Sequence, residues 1–362
     1  MKIKAVRVYR KDLAMIKPYT IAFKTISSVE NIFLELELEN GMVGIGAANP
    51  SSEVVGETPD QTFSNLQLDF VHDLVGRDIR HAFQMMDESK VRFPNLPGTQ
   101  AAIDIALHDA FGKYLGIPIV EFYGHKIQSL PTSITIGIKN TEEALREAEG
   151  YYQQGFRIIK VKLGSNVEED IERILKLHET FKGKLTIRVD ANQGYSLADV
   201  RRFIAQTKKA EVELIEQPLP VGQEKELLKL SPAHRKLLAA DESLKGAEYA
   251  LRYSQSPQPF GIFNIKLMIC GGIKGAMEIA TIARLAHIDL FWGCNDESIV
   301  SISAALHAAF ANVNTKYIDL DGSFDLGEDV VRGGFVVEEG VMRPVGGAGL
   351  GLNPVKSKGF DK

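Results

Sequence analysis

From about residue 128 onward the chain repeats one grammar, a short apolar run and then a polar helix start, roughly every 25 residues. The runs fall at residues 133–138, 158–163, 185–189, 212–215, 237–240, 262–267, 288–292 and 317–320. Between them, Asn140-x-x-Glu143, Asn166-x-x-Glu169 and Ser196-x-x-Asp199 place side-chain acceptors where the first turn of a helix has unpaired N–H groups. Gly155 closes the first of these helices. Eight strand-then-helix units in about 200 residues fit a closed ring of parallel strands, a TIM-like (β/α)7-8 barrel, better than an open doubly wound sheet.

The first third reads differently. Leu34, Leu36 and Leu38 alternate with Glu35 and Glu37, the pattern of a half-buried strand. Asn40-Gly41 then signals a hairpin, and residues 42–45 return. Residues 59–115 turn to helical spacing, which Gly116-Ile117-Pro118 stops. The expected fold class is therefore α/β, with an α+β domain over residues 1–127 and a modified TIM barrel over 128–325. Gly333-Gly334-Phe335-Val336-Val337 is too strand-like for a barrel helix, so residues 326–362 are expected to return to the first domain.

Composition excludes other classes. With 44% apolar and 25% charged residues in 362, the chain is neither disordered nor a disulfide scaffold. Its net charge of −5 and the lack of a Lys/Arg run argue against nucleic acid or an anionic membrane as partner. No apolar stretch is long enough to span a bilayer, the first residues carry no signal-peptide pattern, and the two cysteines, Cys270 and Cys294, suggest a reducing compartment. A cytoplasmic location is expected.

Barrels of this kind keep their chemistry at the C-terminal ends of the strands. The second run ends Lys160-Val161-Lys162, and residues two apart on a strand share a face, so both ammonium groups enter the barrel mouth. Their mutual repulsion is expected to push one lysine towards neutrality and make it a base. The third, fourth and fifth runs end at Asp190, Glu216 and Asp241. One acid at a strand end reads as a helix cap; three on successive strands repel unless a cation lies among them. An all-oxygen set without His or Cys favours Mg²⁺ over zinc. Asn192 and Glu242 read as supporting neighbours. Lys266, at the end of the sixth run, faces Lys162 across the barrel. The eighth run ends Asp319-Leu320-Asp321-Gly322, with two more carboxylates on one face. The metal does not need them, so a cationic group is their expected partner.

These motifs together resemble the enolase superfamily, in its muconate-lactonizing subgroup, and most of all the dipeptide epimerases. The resemblance spans essentially the whole chain. It includes Ala101-Ala102-Ile103-Asp104-Ile105-Ala106-Leu107-His108-Asp109 with Lys113-x-x-Gly116-x-Pro118, Lys160-x-Lys162, Asp190-Ala191-Asn192, Glu216-Gln217-Pro218, Asp241-Glu242-Ser243, and Lys266 with Gly271-Gly272. Asp319-x-Asp321 is the part that resembles dipeptide epimerases in particular. One departure is Gly44-Ile45-Gly46-Ala47, where relatives usually carry Glu after the second Gly.

The resemblance implies that the first domain caps the barrel, that Asp190, Glu216 and Asp241 bind Mg²⁺, and that Lys162 and Lys266 are acid and base on opposite faces of the substrate α-carbon. It implies that Lys160 supports the substrate carboxylate and that Asp319 and Asp321 bind its α-ammonium. Thr135, Cys294 and Asp296 match substrate-contacting positions. The implied reaction inverts the C-terminal residue of an Ala-Xaa dipeptide by proton transfer through an enediolate. A loop over residues 16–27 is expected to close the mouth, with Lys24 placed to pair with an acidic side chain as in Ala-Glu. Asp296 favours small or apolar side chains as in Ala-Ala. N-succinylamino acid racemases and o-succinylbenzoate synthases are the alternative on this scaffold, but their substrates lack the free ammonium that Asp319 and Asp321 require. Muconate cycloisomerases leave the same pair unexplained, mandelate-type enzymes place a His where Lys266 stands, and a non-catalytic binding protein leaves the complete lysine and acid set without a use. A homo-oligomer is expected from the family alone.

Overall fold

The computed structural model describes residues 1–21 and 24–355, with side chains outside 17–26. An antiparallel sheet opens the chain, with strands Ile3–Ile21, Lys24–Leu38 and Val43–Ala48 in sequential order. The alternation of the second strand does what its pattern predicts: Leu34, Leu36 and Leu38 are fully buried. At the turn, Asn40 Oδ1 accepts from the Met42 N–H at 3.1 Å and Gly41 takes a φ of 82°.

Helices Pro59–Leu66, Ala82–Arg92 and Pro97–Leu115 follow. The last packs directly on the third strand, and the contact is backbone-close. A Cβ on Gly46 would stand 2.0 Å from Ala102 O, and one on Gly44 would stand 2.5 Å from the Cβ of Ala110. Small residues on both sides let strand and helix approach, which accounts for the two glycines of the Gly-Ile-Gly-Ala departure.

All eight apolar runs become parallel strands, ordered one to eight round a single sheet: Ile134–Ile136, Ile158–Lys162, Thr186–Asp190, Ile215–Glu216, Leu238–Ala240, Ile262–Ile265, Asp289–Trp292 and Thr315–Ile318. A parallel bridge between Thr132 and Ile318 brings the first and last together. The expected caps form: Asn140 accepts from Glu143, Asn166 from Glu168, and Ser196 and Asp199 make a reciprocal capping box. After the fourth strand only short turns of helix appear, Glu224–Lys229 and Pro232–Arg235, and among the described residues no helix follows the eighth strand. No helix among the described residues is long and apolar enough to cross a membrane.

Two long-range ties bind the ends of the chain to the rest. Of the segment expected as a loop over residues 16–27, residues 16–21 and 24–27 are instead strand, with Tyr19 opposite Ile26, Thr20 opposite Thr25 and Ile21 opposite Lys24. Residues 22–23 and the Lys24 side chain lie outside the described residues. The hairpin meets the segment after the eighth strand: Ile16 N–H donates to Asp325 O at 2.7 Å, Gly327 N–H donates to Ala14 O at 2.7 Å, and Met15 bridges Leu326. At the C-terminal end, Asp109, fully buried in the long helix, accepts from Ile45 N–H at 2.9 Å, Leu350 N–H at 2.9 Å and Lys113 Nζ at 2.8 Å. One carboxylate thus joins the third strand, the helix and the returning segment. Asp109→Ala leaves the Ile45 and Leu350 N–H groups buried without that acceptor and should lower the unfolding free energy by about 3–5 kcal/mol. Urea denaturation checks this, and a loss below about 1 kcal/mol would show that the tie is not structural.

Candidate active site

The strand ends deliver their charged side chains to one place. Each is carried on the last residue of a strand or just beyond it, so backbone ladders rather than flexible loops set its position. Asp190, Glu216 and Asp241 each offer an oxygen within 4.8 Å of the others, and all three are buried. Lys162 Nζ donates to Asp190 Oδ2 at 2.6 Å from one side, and Lys266 Nζ donates to Asp241 Oδ2 at 2.7 Å from the other.

Lys160 lies deeper, only 3% exposed. Its Nζ stands 2.6 Å from Asp319 Oδ2, 3.1 Å from Glu216 Oε2 and 3.7 Å from Asp190 Oδ2. Burial opposes its charge, yet Asp319, Glu216 and Asp190 outweigh burial and hold its pKa well above the usual lysine value. Lys160 is therefore not a lysine that repulsion pushes towards neutrality, the state expected of one of the two. The two cations of one strand are outnumbered by carboxylates from its neighbours, and Lys160 is engaged with those carboxylates.

The acids divide accordingly. Burial raises the Asp190 pKa, but Lys162 and Lys160 bring it down to about 2. Burial and the adjacent Asp190 push Glu216 up to about 8. Asp241 Oδ1 is buried and makes no hydrogen bond, and Glu216 Oε2 has only its 3.1 Å ion-pair contact with Lys160 Nζ. An unpaired buried oxygen on Asp241, an oxygen-only donor set and a carboxylate that resists ionisation all fit a hard divalent cation held by Asp190, Glu216 and Asp241.

A second layer lies beneath. Asn264 Nδ2 donates to Glu216 Oε1 at 2.7 Å. Ser133 Oγ donates to Asp319 Oδ1 at 2.6 Å, and Arg188, 2% exposed, donates to Ser133 Oγ at 3.1 Å, Ile318 O at 2.7 Å and Glu213 Oε2 at 2.7 Å. The sequence reading passed over Arg188 and Asn264 as members of apolar runs. Each stands two residues before a residue it did select, Asp190 and Lys266, so the same alternation finds them.

Asp319 and Asp321 do not form an equivalent pair. Burial raises the Asp319 pKa, but Lys160 overcomes it and leaves the carboxyl below its ordinary value. Asp321 Oδ2 accepts from the Thr135 N–H at 2.8 Å, and burial together with Asp319 pushes it up to about 7. Cys294 Sγ contacts Asp319 O at 3.2 Å and Gly322 N at 3.3 Å, bracing the backbone around these acids, and burial pushes its thiol well up. Asp296 is half-buried in the segment after the seventh strand. Beside it, Glu297 is 3% exposed, and burial pushes it up to about 7.

The match to known proteins follows this geometry. Residues 3–124 match the mandelate racemase / muconate lactonizing enzyme N-terminal domain family, and residues 143–358 match the enolase C-terminal domain-like family. The chain belongs to the enolase superfamily, in its mandelate racemase/muconate-lactonizing branch, and within that branch it sits among the dipeptide epimerases. The L-Lys-D/L-Arg epimerase of Desulforapulum autotrophicum is 50% identical over 98% of this chain and 100% of its own. A crystal structure of the Methylococcus capsulatus dipeptide epimerase with Mg and the dipeptide L-Arg-D-Lys superposes with a TM-score of 0.94 at 46% identity, covering 97% of this chain and 99% of that one. The hydrophobic dipeptide epimerase of Enterococcus faecalis is 32% identical over 98% of this chain and 100% of its own.

Asp321 supplies a test that needs no ligand. Its carboxyl binds a proton more tightly in the folded chain than at its ordinary value of 3.8, titrating at about 7. Through that interval the folded state holds more protons than the unfolded one, so Asp321 makes stability fall as pH rises. Asp321→Asn keeps an acceptor for Thr135 and removes the ionisation. In metal-free protein it should stabilise the fold at pH 8 and do so much less at pH 4. An equal effect at both pH values in denaturant titrations would remove the shifted Asp321 titration.

Proposed function

We propose that this chain is a magnesium-dependent epimerase that inverts the α-carbon of the C-terminal residue of a dipeptide. The observation that carries the reading is the placement of Lys162 and Lys266 on opposite sides of one carboxylate triad, each touching a different member. A proton α to a carboxylate is very weakly acidic, and its removal puts a second negative charge on the substrate. A divalent cation held by Asp190, Glu216 and Asp241 supplies positive charge against which that enediolate develops. One lysine, neutral, takes the proton from one face while the other, as an ammonium, returns one to the opposite face. Lys160 balances the inner acids, and Asp321, next to the Thr135 N–H, receives the substrate ammonium. In the same reading, residues 1–127 cap a barrel of residues 128–325, residues 326–362 return to the cap, and the enzyme is a cytoplasmic homo-oligomer.

For the side chains, we favour basic residues over the Ala-Xaa expectation. The relatives at 46–50% identity carry names or bound dipeptides built from lysine and arginine. Asp296, Glu297, Glu242 and Asp321 give the strand-end loops of this chain an acidic character that suits cationic substrates. An N-succinylated substrate would set a carboxylate against these acids and leave Asp321 without its cation.

A dipeptide panel in D₂O, read by deuterium incorporation at the α-carbon, should rank Lys- and Arg-containing dipeptides above Ala-Glu by about 10²-fold or more in kcat/KM, because like-charge contacts cost several kcal/mol. Equal turnover of Ala-Glu would restore the alanine-first reading. For the lysines, Lys266→Ala and Lys162→Ala should each abolish inversion. Each should retain exchange of the α-proton of one stereoisomer only, and the two variants should choose opposite isomers. Inversion by either variant would place the second base elsewhere.

A further inference from the structure

Gln217 follows Glu216 in the chain and is 1% exposed. Its φ of 32° lies in the left-handed region, where a side chain is strained and persists only if its surroundings hold it. The surroundings are specific. Gln217 Oε1 accepts from the Asp241 N–H at 3.0 Å and the Ser243 N–H at 3.1 Å. Nε2 donates to Leu219 O and to Ser243 Oγ, each at 2.9 Å. Both N–H groups and both lone pairs of the amide are engaged, and backbone partners of fixed polarity decide which end is oxygen. Ser243 Oγ passes the chain on to Glu224 Oε1 at 2.7 Å.

The backbone of the same residue reaches the other way. Gln193 N–H donates to Gln217 O at 2.7 Å, just after the neighbouring Ala191 N–H donates to Glu216 O at 3.1 Å. Gln217 therefore touches the segments that carry all three carboxylates: Asp190 through Gln193, Glu216 through the peptide bond, and Asp241 through its own N–H.

We infer that Gln217 is a positioning residue that sets the spacing of the three carboxylates tightly enough to favour a small divalent cation over a large one. The inference rests on the metal reading above. Mg²⁺ demands near-ideal octahedral geometry with oxygens at about 2.0–2.1 Å, whereas Ca²⁺ accepts about 2.3–2.6 Å and irregular shells. A cluster whose ends are cross-linked suits the first; a cluster with one end loosened costs the first more than the second.

The test is calorimetric titration of the metal-free protein with Mg²⁺ and, separately, Ca²⁺. Wild type should bind Mg²⁺ at one site; a failure here defeats the metal reading and not merely the role of Gln217. Gln217→Leu should weaken Mg²⁺ by about 10- to 100-fold, the range for partners that orient metal ligands, and Ca²⁺ by clearly less. Ser243→Ala removes one of the four amide contacts and should shift the Mg²⁺/Ca²⁺ ratio in the same direction by a smaller factor. It decides the matter if Gln217→Leu does not fold. A residue that only supports the fold would lower the melting temperature without changing that ratio. Unchanged Mg²⁺ affinity, or equal loss for both ions, overturns the inference.

Discussion

Everything at the strand ends turns on how one buried cation is shared. Lys160 sits among Asp319, Glu216 and Asp190 with almost no access to solvent. An ammonium in that position is tolerable only because carboxylates surround it, and the carboxylates only because it is there. This mutual dependence divides the acids into those already satisfied from within, such as Asp319, and one left with a spare buried oxygen, Asp241. The polar interior of the barrel continues below through Ser133 and Arg188 to Glu213, which is partly exposed on the other side. Beside this run of charge Leu214, Ala239, Ile262 and Phe291 form their own buried apolar cluster, and Lys160 and Arg188 lie over the Phe291 ring.

The loops above the column are held as firmly as the strands. Asp170 accepts from the Gly164 N–H at 2.9 Å, the Tyr195 hydroxyl at 2.8 Å and Arg173 at 2.9 Å, locking the turns that follow the second and third strands together. Gly164 is there because nothing larger fits: a Cβ would come to 2.2 Å from Ala191 O. Lys162 and Asp190 are thus fixed from behind by groups that never face a ligand. Such preorganisation means that charge developing on a substrate meets dipoles already in place.

Much of this was legible in the amino-acid order because two simple periods govern it. The repeat of short apolar runs marked every barrel strand, and the strand ends singled out Asp190, Glu216, Asp241 and Lys266, whose side chains the fold brings together. What escaped has physical causes. The charge state of Lys160 depends on acids from three other strands, which no count along its own strand includes. Gln217 looks like an ordinary amide beside a proline; its role comes from contacts with Asp241 and Ser243, more than twenty residues away. The paired strand ends at residues 16–21 and 24–27 lack clean alternation, and the partners of residues 14–16 lie beyond residue 320. Substrate preference is harder still, because in the proposed reading it rests on the summed field of acids on several loops and not on any one motif.

The ladder between Ala14–Ile16 and Asp325–Gly327 has a bearing on how such a fold can diversify. One end of it belongs to the antiparallel sheet that opens the chain, the other to the segment that leaves Asp321. Backbone hydrogen bonds carry no side-chain code, so either partner tolerates new residues while the pairing persists. A change in the length of either segment, by contrast, would drag the other with it. Along this seam, side chains are free to change by substitution, whereas a change of length in either strand is resisted.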